Sequence, residues 1–178
     1  LGSRLQVEGQ AWGTVGFLVG AGYRTVGLLR SGGALESPHT GEPPKVPRYA
    51  PDGETQLGTG FDEGTFDGRL LFRLSGDLRL TLAAHHYNET DAPRTDQCPP
   101  AYAPHDECLL YDEQLRTLVY SALQVWDLGW MESGRLTLSY QRQHERRTNS
   151  RPSSYVESGG LDRAHTVGTS VKGKSQWW

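Results

Sequence analysis

Hydrophobic and polar residues alternate along most of the chain. The segment RLQVEGQA, residues 4–11, places Leu5 and Val7 on one face and Gln6 and Glu8 on the other. A period of two is typical of a β-strand, because successive side chains of a strand point to opposite faces of the sheet. The alternation predicts seven strands, over residues 4–11, 14–30, 66–74, 78–86, 115–125, 135–143 and 165–174.

Short and long connections alternate between these strands. The short ones lie at residues 12–13, 75–77 and 127–130, and the long polar ones at residues 31–59, 90–107 and 146–160. Outer-membrane barrels have short periplasmic turns and long external loops. The pattern therefore predicts an all-β fold, an antiparallel transmembrane β-barrel. Seven strands do not close a normal even-numbered bacterial barrel, so we expect this chain to be part of a larger up-and-down barrel.

The polar face of the predicted strands carries charges that are costly to bury in a dry core. Its long polar side chains include Arg69, Arg73, Arg79, Arg135, Gln141 and Gln143. A water-filled or plugged barrel lumen would solvate them. An antiparallel sheet with one face on a core and the other in water alternates in the same way, so this alternative stays open.

Composition argues against two classes of protein. The 178 residues contain no run of the ~18 to 20 apolar residues that a membrane-spanning helix needs. The net charge is −3, and the Lys and Arg residues are scattered among Asp and Glu, so we expect no nucleic-acid partner. The start, Leu1-Gly2-Ser3, has no initiator methionine and no signal core, so we expect it to lie inside a longer protein.

The chain has two cysteines, Cys98 and Cys108, which share one proline-rich segment. Neither belongs to the CxxC arrangement that zinc sites use. The pair therefore predicts a local disulfide, which would indicate an oxidising compartment. The alternative is two unrelated free thiols.

The residues that could carry chemistry do not form a catalytic or metal-binding motif. His85 and His86 are neighbours in a predicted strand and point to opposite faces, so we expect two independent histidines. The acidic residues between the fourth and fifth predicted strands lack the regular spacing of a calcium loop. No GxSxG elbow or phosphate-binding loop occurs. We expect no enzyme activity, no metal site and no cofactor.

Three segments resemble the barrel of TonB-dependent receptors. They are Thr59-Gly60-Phe61-Asp62-Glu63, Asp91-Ala92-Pro93-Arg94 and Tyr111-Asp112-Glu113-Gln114, and the resemblance covers about residues 59–147. In that family an energy-coupling box and a globular plug precede the barrel, and neither occurs in this chain. The resemblance implies that residues 1–178 are part of a barrel domain of about 22 strands in the bacterial outer membrane.

Receptors of this family take up scarce nutrients, such as siderophore-bound iron or cobalamin, by TonB-coupled active transport. The resemblance implies three partners: a small-molecule nutrient or metal chelate, the TonB protein reached through a preceding segment, and outer-membrane lipid. Two other functions stay open. One is a passive outer-membrane porin or channel, and the other is a secreted β-sandwich module for carbohydrate binding or adhesion.

The candidate ligand-binding residues are Asp91, Arg94, Asp96, Tyr111 and Asp112, on a predicted external loop. External loops capture the solute in receptors of this kind, and charged and phenolic side chains can hydrogen-bond a polar solute. The alternative role of these residues is to stabilise the loop by polar contacts.

Overall fold

The structure is a computed structural model, and it describes residues 1–33, 50–56, 59–94, 108–151 and 156–175. Within these ranges the chain forms nine strands: β1 Gly2–Ala11, β2 Val15–Val26, β3 Leu29–Arg30, β4 Thr55–Gln56, β5 Phe61–Arg73, β6 Leu78–Arg94, β7 Cys108–Trp126, β8 Met131–Arg151 and β9 Val156–Ser175. A search of the same ranges finds no helix with the length and hydropathy needed to span a membrane.

Seven of the strands form one antiparallel sheet in the order β1-β2-β5-β6-β7-β8-β9. Each long strand therefore pairs with the next long strand along the chain. The short strands β3 and β4 form a separate two-stranded sheet. The predicted all-β class, the antiparallel sheet and the seven principal strands are confirmed.

The register of the sheet places like side chains side by side. One row crosses all seven strands and is apolar throughout: Ala11, Val15, Phe72, Leu80, Leu123, Leu136 and Val171. We call the face that carries this row the apolar face. The opposite face, which carries Arg4, Asp67 and Gln141, is called the polar face. A slip of one residue would exchange the two faces of a strand, so the alternation and the register agree.

Many large apolar side chains of this sheet are exposed. On the apolar face, Val167 is 79% exposed and Leu5 is 72% exposed. The buried apolar residues of the described chain are alanines, and Ala83 and Ala122 among them lie on the polar face. The described residues therefore provide no hydrophobic core that would cover the apolar face.

Most of the long strands extend further from the short turns than the alternation predicted, and β6 to β9 do so by seven to nine residues. β6 continues to Arg94, β7 begins at Cys108, β8 continues to Arg151 and β9 begins at Val156. The predicted long loop over residues 146–160 is therefore wrong, and the predicted loop over residues 90–107 is shortened at its start, where residues 90–94 belong to β6. Backbone pairing continues through polar residues because the ladder hydrogen bonds do not require apolar side chains.

The prediction of one strand over residues 14–30 is wrong for its last four residues. β2 ends at Val26, and Leu29–Arg30 pairs instead with Thr55–Gln56, inside the predicted loop over residues 31–59. The buried hydroxyl of Thr59 accepts a hydrogen bond from the Leu29 amide at 2.8 Å and donates one to the Gln56 carbonyl at 2.8 Å. These two bonds hold the short sheet against the start of β5.

The three short turns lie at increasing distances from the shared apolar row. Counted from this row toward the turns, Gly13 is two residues from Val15, Gly76 is four residues from Phe72, and Gly129 is six residues from Leu123. Neighbouring hairpins are centred two strands apart, so the distance from the apolar row to the turn grows by one residue per strand. With a rise of about 3.3 Å per residue and about 4.8 Å between strands, the strands lean by about 35° from the perpendicular to the line of turns.

Candidate functional site

The polar face holds an open pocket of about 290 Å³, which we call the polar-face pocket. Its polar lining comes from five strands and includes Arg4, Asp67, His85, Tyr87, Arg116 and Gln141. These side chains meet because the register pairs Asp67 with His85, Tyr87 with Arg116, and Leu118 with Gln141. The pocket therefore exists only when all of these strands are paired.

An ion pair crosses over β2 at the edge of this pocket. Arg4 of β1 donates a hydrogen bond from Nη2 to the Asp67 carboxylate of β5, and β2 runs between the two strands. Glycines leave the space for this contact. A Cβ atom at Gly20 would lie 2.8 Å from Asp67 Oδ2, and one at Gly22 would lie 2.7 Å from Thr65 Oγ1. Gly20 and Gly22 thus form the floor of a groove that the Arg4 side chain follows.

A second group of polar contacts continues from the pocket toward the far ends of the strands. Arg24 donates to the Glu63 carboxylate at 2.5 Å, and its guanidinium lies 5.5 Å from the centre of the Phe61 ring. The Tyr87 hydroxyl lies 3.5 Å from Glu63 Oε2. The Glu63 carboxylate of β5 is thus contacted by side chains of β2 and β6, the strands on either side.

The polar-face pocket can hydrogen-bond a polar solute from several directions. Arg116 and Gln141 supply N–H donors, and Tyr87 supplies a hydroxyl. The ring of His85 stacks on Tyr120 with the centroids 6.5 Å apart. The described residues include no group of three or more His, Cys, Asp or Glu side chains that could hold a metal ion.

The predicted ligand-binding residues that the structure describes lie in strands rather than in a loop. Asp91 and Arg94 belong to β6, and Tyr111 and Asp112 belong to β7. The prediction of an external loop is therefore wrong for these four residues, because the β6–β7 ladder continues as far as Arg94 and Leu109. The fifth candidate, Asp96, lies outside the described residues.

The ladder brings two of these candidates opposite each other. Thr90 pairs with Glu113 and Ala92 pairs with Tyr111, so Asp91 and Asp112 lie between the same two pairs of the ladder. Asp91 has a left-handed φ of 60°.

Asp112 lies where the register between β7 and β8 shifts by one residue. Its carboxylate accepts a hydrogen bond from the Thr148 hydroxyl at 3.0 Å and lies 4.0 Å from Arg146 Nε. These contacts anchor Asp112 to β8, in keeping with the alternative role of stabilising polar contacts.

The predicted separation of the two adjacent histidines is confirmed, since they take part in different contacts. His85 stacks on Tyr120 on the polar face, whereas His86 Nδ1 lies 3.0 Å from the Thr117 hydroxyl on the apolar face. Cys108 is disulfide-bonded and stands at the first position of β7. Its predicted partner, Cys98, lies outside the described residues, so the pairing of the two stays a prediction.

The sequence predictions missed the residues that line the polar-face pocket. The alternation places Arg4 and Asp67 on the polar faces of their strands, but it does not show that they meet across β2. The available signal was the repeated glycine at Gly16, Gly20 and Gly22 on the polar face of β2. Glycine in a strand often marks a place where another group approaches closely.

No family model, no curated protein and no solved structure matches the chain. Its function is therefore proposed from its own residues.

Proposed function

We propose that this chain forms part of the wall of an outer-membrane β-barrel, and that the barrel takes up a solute by TonB-coupled transport. The observation that carries the proposal is the exposed apolar face, which extends across all seven strands of the sheet. Water would oppose this exposure, because the free energy of transfer favours removing apolar area from water. Lipid chains would cover the same surface at no such cost.

The apolar face has the height expected for a bilayer. The large apolar side chains run from Phe66 of β5 to Leu74, the residue that follows this strand, which is about 26 Å along the chain. Because the strands lean by about 35°, a length of about 26 Å along the strand corresponds to a height of about 22 Å. This height is close to the apolar band of about 25 Å on known outer-membrane barrels. At the short-turn end Trp12 is 88% exposed and Trp130 is 75% exposed. Tryptophan is enriched at membrane–water interfaces.

The stagger of the turns supports the same conclusion. Strands must tilt by about 35–45° to close a barrel. The growth of the row-to-turn distance by one residue per strand corresponds to a tilt of about 35°. The polar face would then line the lumen, where the charges around Arg4 and Asp67 are solvated.

Solute uptake is proposed from the polar-face pocket together with the resemblance to TonB-dependent receptors. The pocket provides hydrogen-bonding groups on the lumen side, where a polar solute would pass. The three segments that carry the resemblance lie at the ends of β5, β6 and β7 that are far from the short turns, on the side proposed to face the outside of the cell. Asp91 and Asp112 belong to two of these segments, and we propose them as part of the external surface around the entrance.

Uptake by cells that produce the full-length protein in their outer membrane would test the proposal. The probes are a ferric siderophore labelled with radioactive iron and labelled cobalamin, supplied with and without a protonophore. We expect uptake of one probe that requires both the protein and the proton gradient. Uptake that survives the protonophore would favour a passive channel. Recovery of the protein from the soluble fraction without detergent would overturn the membrane location.

A further inference from the structure

Four basic side chains form a block on the apolar face, just beyond the apolar residues of β8 and β9. Arg142 pairs with His165, and His144 pairs with Arg163. They lie on the same face as Tyr140, because alternate residues of a strand share a face. We call these four residues the basic block.

The two arginines of the basic block have no acidic partner among the described residues. Arg142 and Arg163 are both exposed, and neither forms an ion pair in this part of the chain. His144 Nε2 lies 3.4 Å from the Glu113 carboxylate, which is the acid that pairs with the block among the residues that the structure describes. The two arginines occupy diagonal positions of the ladder, about 7–8 Å apart at Cα. Two cations this close favour an anion between them.

The block joins directly onto the apolar band. The Tyr140 hydroxyl lies 2.7 Å from His165 Nδ1, and the two rings are 6.0 Å apart. Val167, which pairs with Tyr140, is 79% exposed. A ligand at the block would therefore have an anionic group beside the arginines and an apolar part along Tyr140 and Val167.

We propose that the basic block binds the phosphate group of an anionic membrane lipid, whose acyl chains lie along Tyr140 and Val167. This inference rests on the proposed function, because it needs the apolar face to be in contact with lipid. The guanidinium fork matches the geometry of phosphate oxygens. Anionic headgroups attract basic residues at the membrane surface. A free phosphate ion would use the arginines but would leave the adjoining apolar side chains exposed to water.

Native mass spectrometry of the full-length protein in detergent micelles tests the inference, with phosphatidylglycerol as the probe and phosphatidylcholine as the neutral lipid. The double variant R142Q/R163Q removes both arginines from the block. The matched control is R135Q/K172Q, which removes two positive charges from a directly paired position of the same two strands on the polar face. We expect about tenfold or greater loss of phosphatidylglycerol affinity in the first variant, and less than about twofold change in the control.

Equal affinity in R142Q/R163Q and the unchanged protein would overturn the inference, as would equal losses in the two double variants. Displacement of the lipid by millimolar inorganic phosphate would assign the block to free phosphate instead. Insertion into vesicles of pure phosphatidylcholine separates the two proposals. A protein that inserts there but does not prefer phosphatidylglycerol contradicts this inference alone, whereas failure to insert into any vesicle contradicts the membrane location and the inference together.

Discussion

Single glycines decide which charged residues can meet on the polar face. Gly20 lies beneath the Arg4–Asp67 ion pair, where a Cβ atom would be 2.8 Å from Asp67 Oδ2 and 3.2 Å from Arg4 Nη2. Gly16 lies on the same strand and face, but a Cβ there would meet only Leu71 Cβ at 3.7 Å, an ordinary contact. The two positions therefore offer a matched comparison.

We predict that Gly20→Ala is less stable than Gly16→Ala by about 1 to 2 kcal/mol. Alanine at Gly16 fits the available space, and it gains about 0.5–1 kcal/mol because alanine loses less conformational freedom on folding than glycine. Alanine at Gly20 displaces the ion pair and forfeits that gain. The free energy of unfolding of the full-length protein in micelles, measured by urea titration, checks the difference. Equal stability of the two variants would show that Arg4 does not cross β2 at Gly20.

The carboxylate of Asp52 organises the turn that precedes β4. It accepts hydrogen bonds from the Thr55 hydroxyl at 2.6 Å, the Thr55 amide at 2.9 Å and the Glu54 amide at 3.0 Å. These bonds, led by the one from the Thr55 hydroxyl, lower the pKa of Asp52 from 3.8 to about 2. The ionised carboxylate is a stronger acceptor for these bonds than the protonated carboxyl group is.

We predict that this turn stays intact at pH 4 and is lost as the pH falls through about 2. The pKa is lower in the folded turn than in an unfolded chain, so the stabilisation is complete above about 3.9 and disappears through the folded pKa. The amide chemical shifts of Glu54 and Thr55, followed by NMR during acid titration, give the midpoint. A midpoint near 3.9 would contradict the prediction, and Asp52→Asn should abolish the transition.

Individual strands present two surfaces with different solvent requirements. On β6, Leu82 lies on the apolar face and is 38% exposed, whereas its neighbour Thr81 lies on the polar face. A charge placed at Leu82 would point toward the proposed lipid, whereas a charge placed at Thr81 would point toward the proposed lumen.

We predict that Leu82→Arg destabilises the membrane-inserted protein by about 2–4 kcal/mol, the cost of an arginine near the middle of the lipid-facing surface. Thr81→Arg should cost much less, because its side chain reaches the solvated lumen. Denaturant titration of the full-length protein in lipid vesicles measures both changes. A larger loss for Thr81→Arg would mean that the polar face, and not the apolar face, is the one packed in an apolar environment.

The strands of the sheet lean by about 35° from the perpendicular to the line of the short turns. The apolar row crosses the paired strands without a break, and the distance from this row to the three short turns grows by one residue per strand. If the turns lie in one plane at the membrane surface, all seven long strands must tilt together.

We predict a mean strand tilt of about 35–40° from the membrane normal for the full-length protein in oriented bilayers. Polarised infrared spectroscopy of the amide bands measures this angle. A mean tilt near zero would contradict the stagger of the turns, and a random orientation would contradict membrane insertion of the sheet.

The sequence alone determined which residues share a face, how many long strands form and where the short turns lie. These are local properties, because the direction of a side chain in a strand depends on its position relative to its immediate neighbours. The lengths of β6 to β9 were underestimated because backbone pairing continues where the side-chain alternation fades. The polar residues of β8 near Arg146 are in the ladder for this reason.

Only the tertiary structure decided which side chains meet. Arg4 and Asp67 are 63 residues apart in the sequence, and their contact depends on the registers of two successive strand pairs and on the glycines between them. The basic block likewise depends on the β8–β9 register, since Arg142 and Arg163 are unremarkable in their own strands. The alternation determines the face on which a residue lies but not the residue of the neighbouring strand that it pairs with, so a contact between side chains of different strands appears only once the strands are paired.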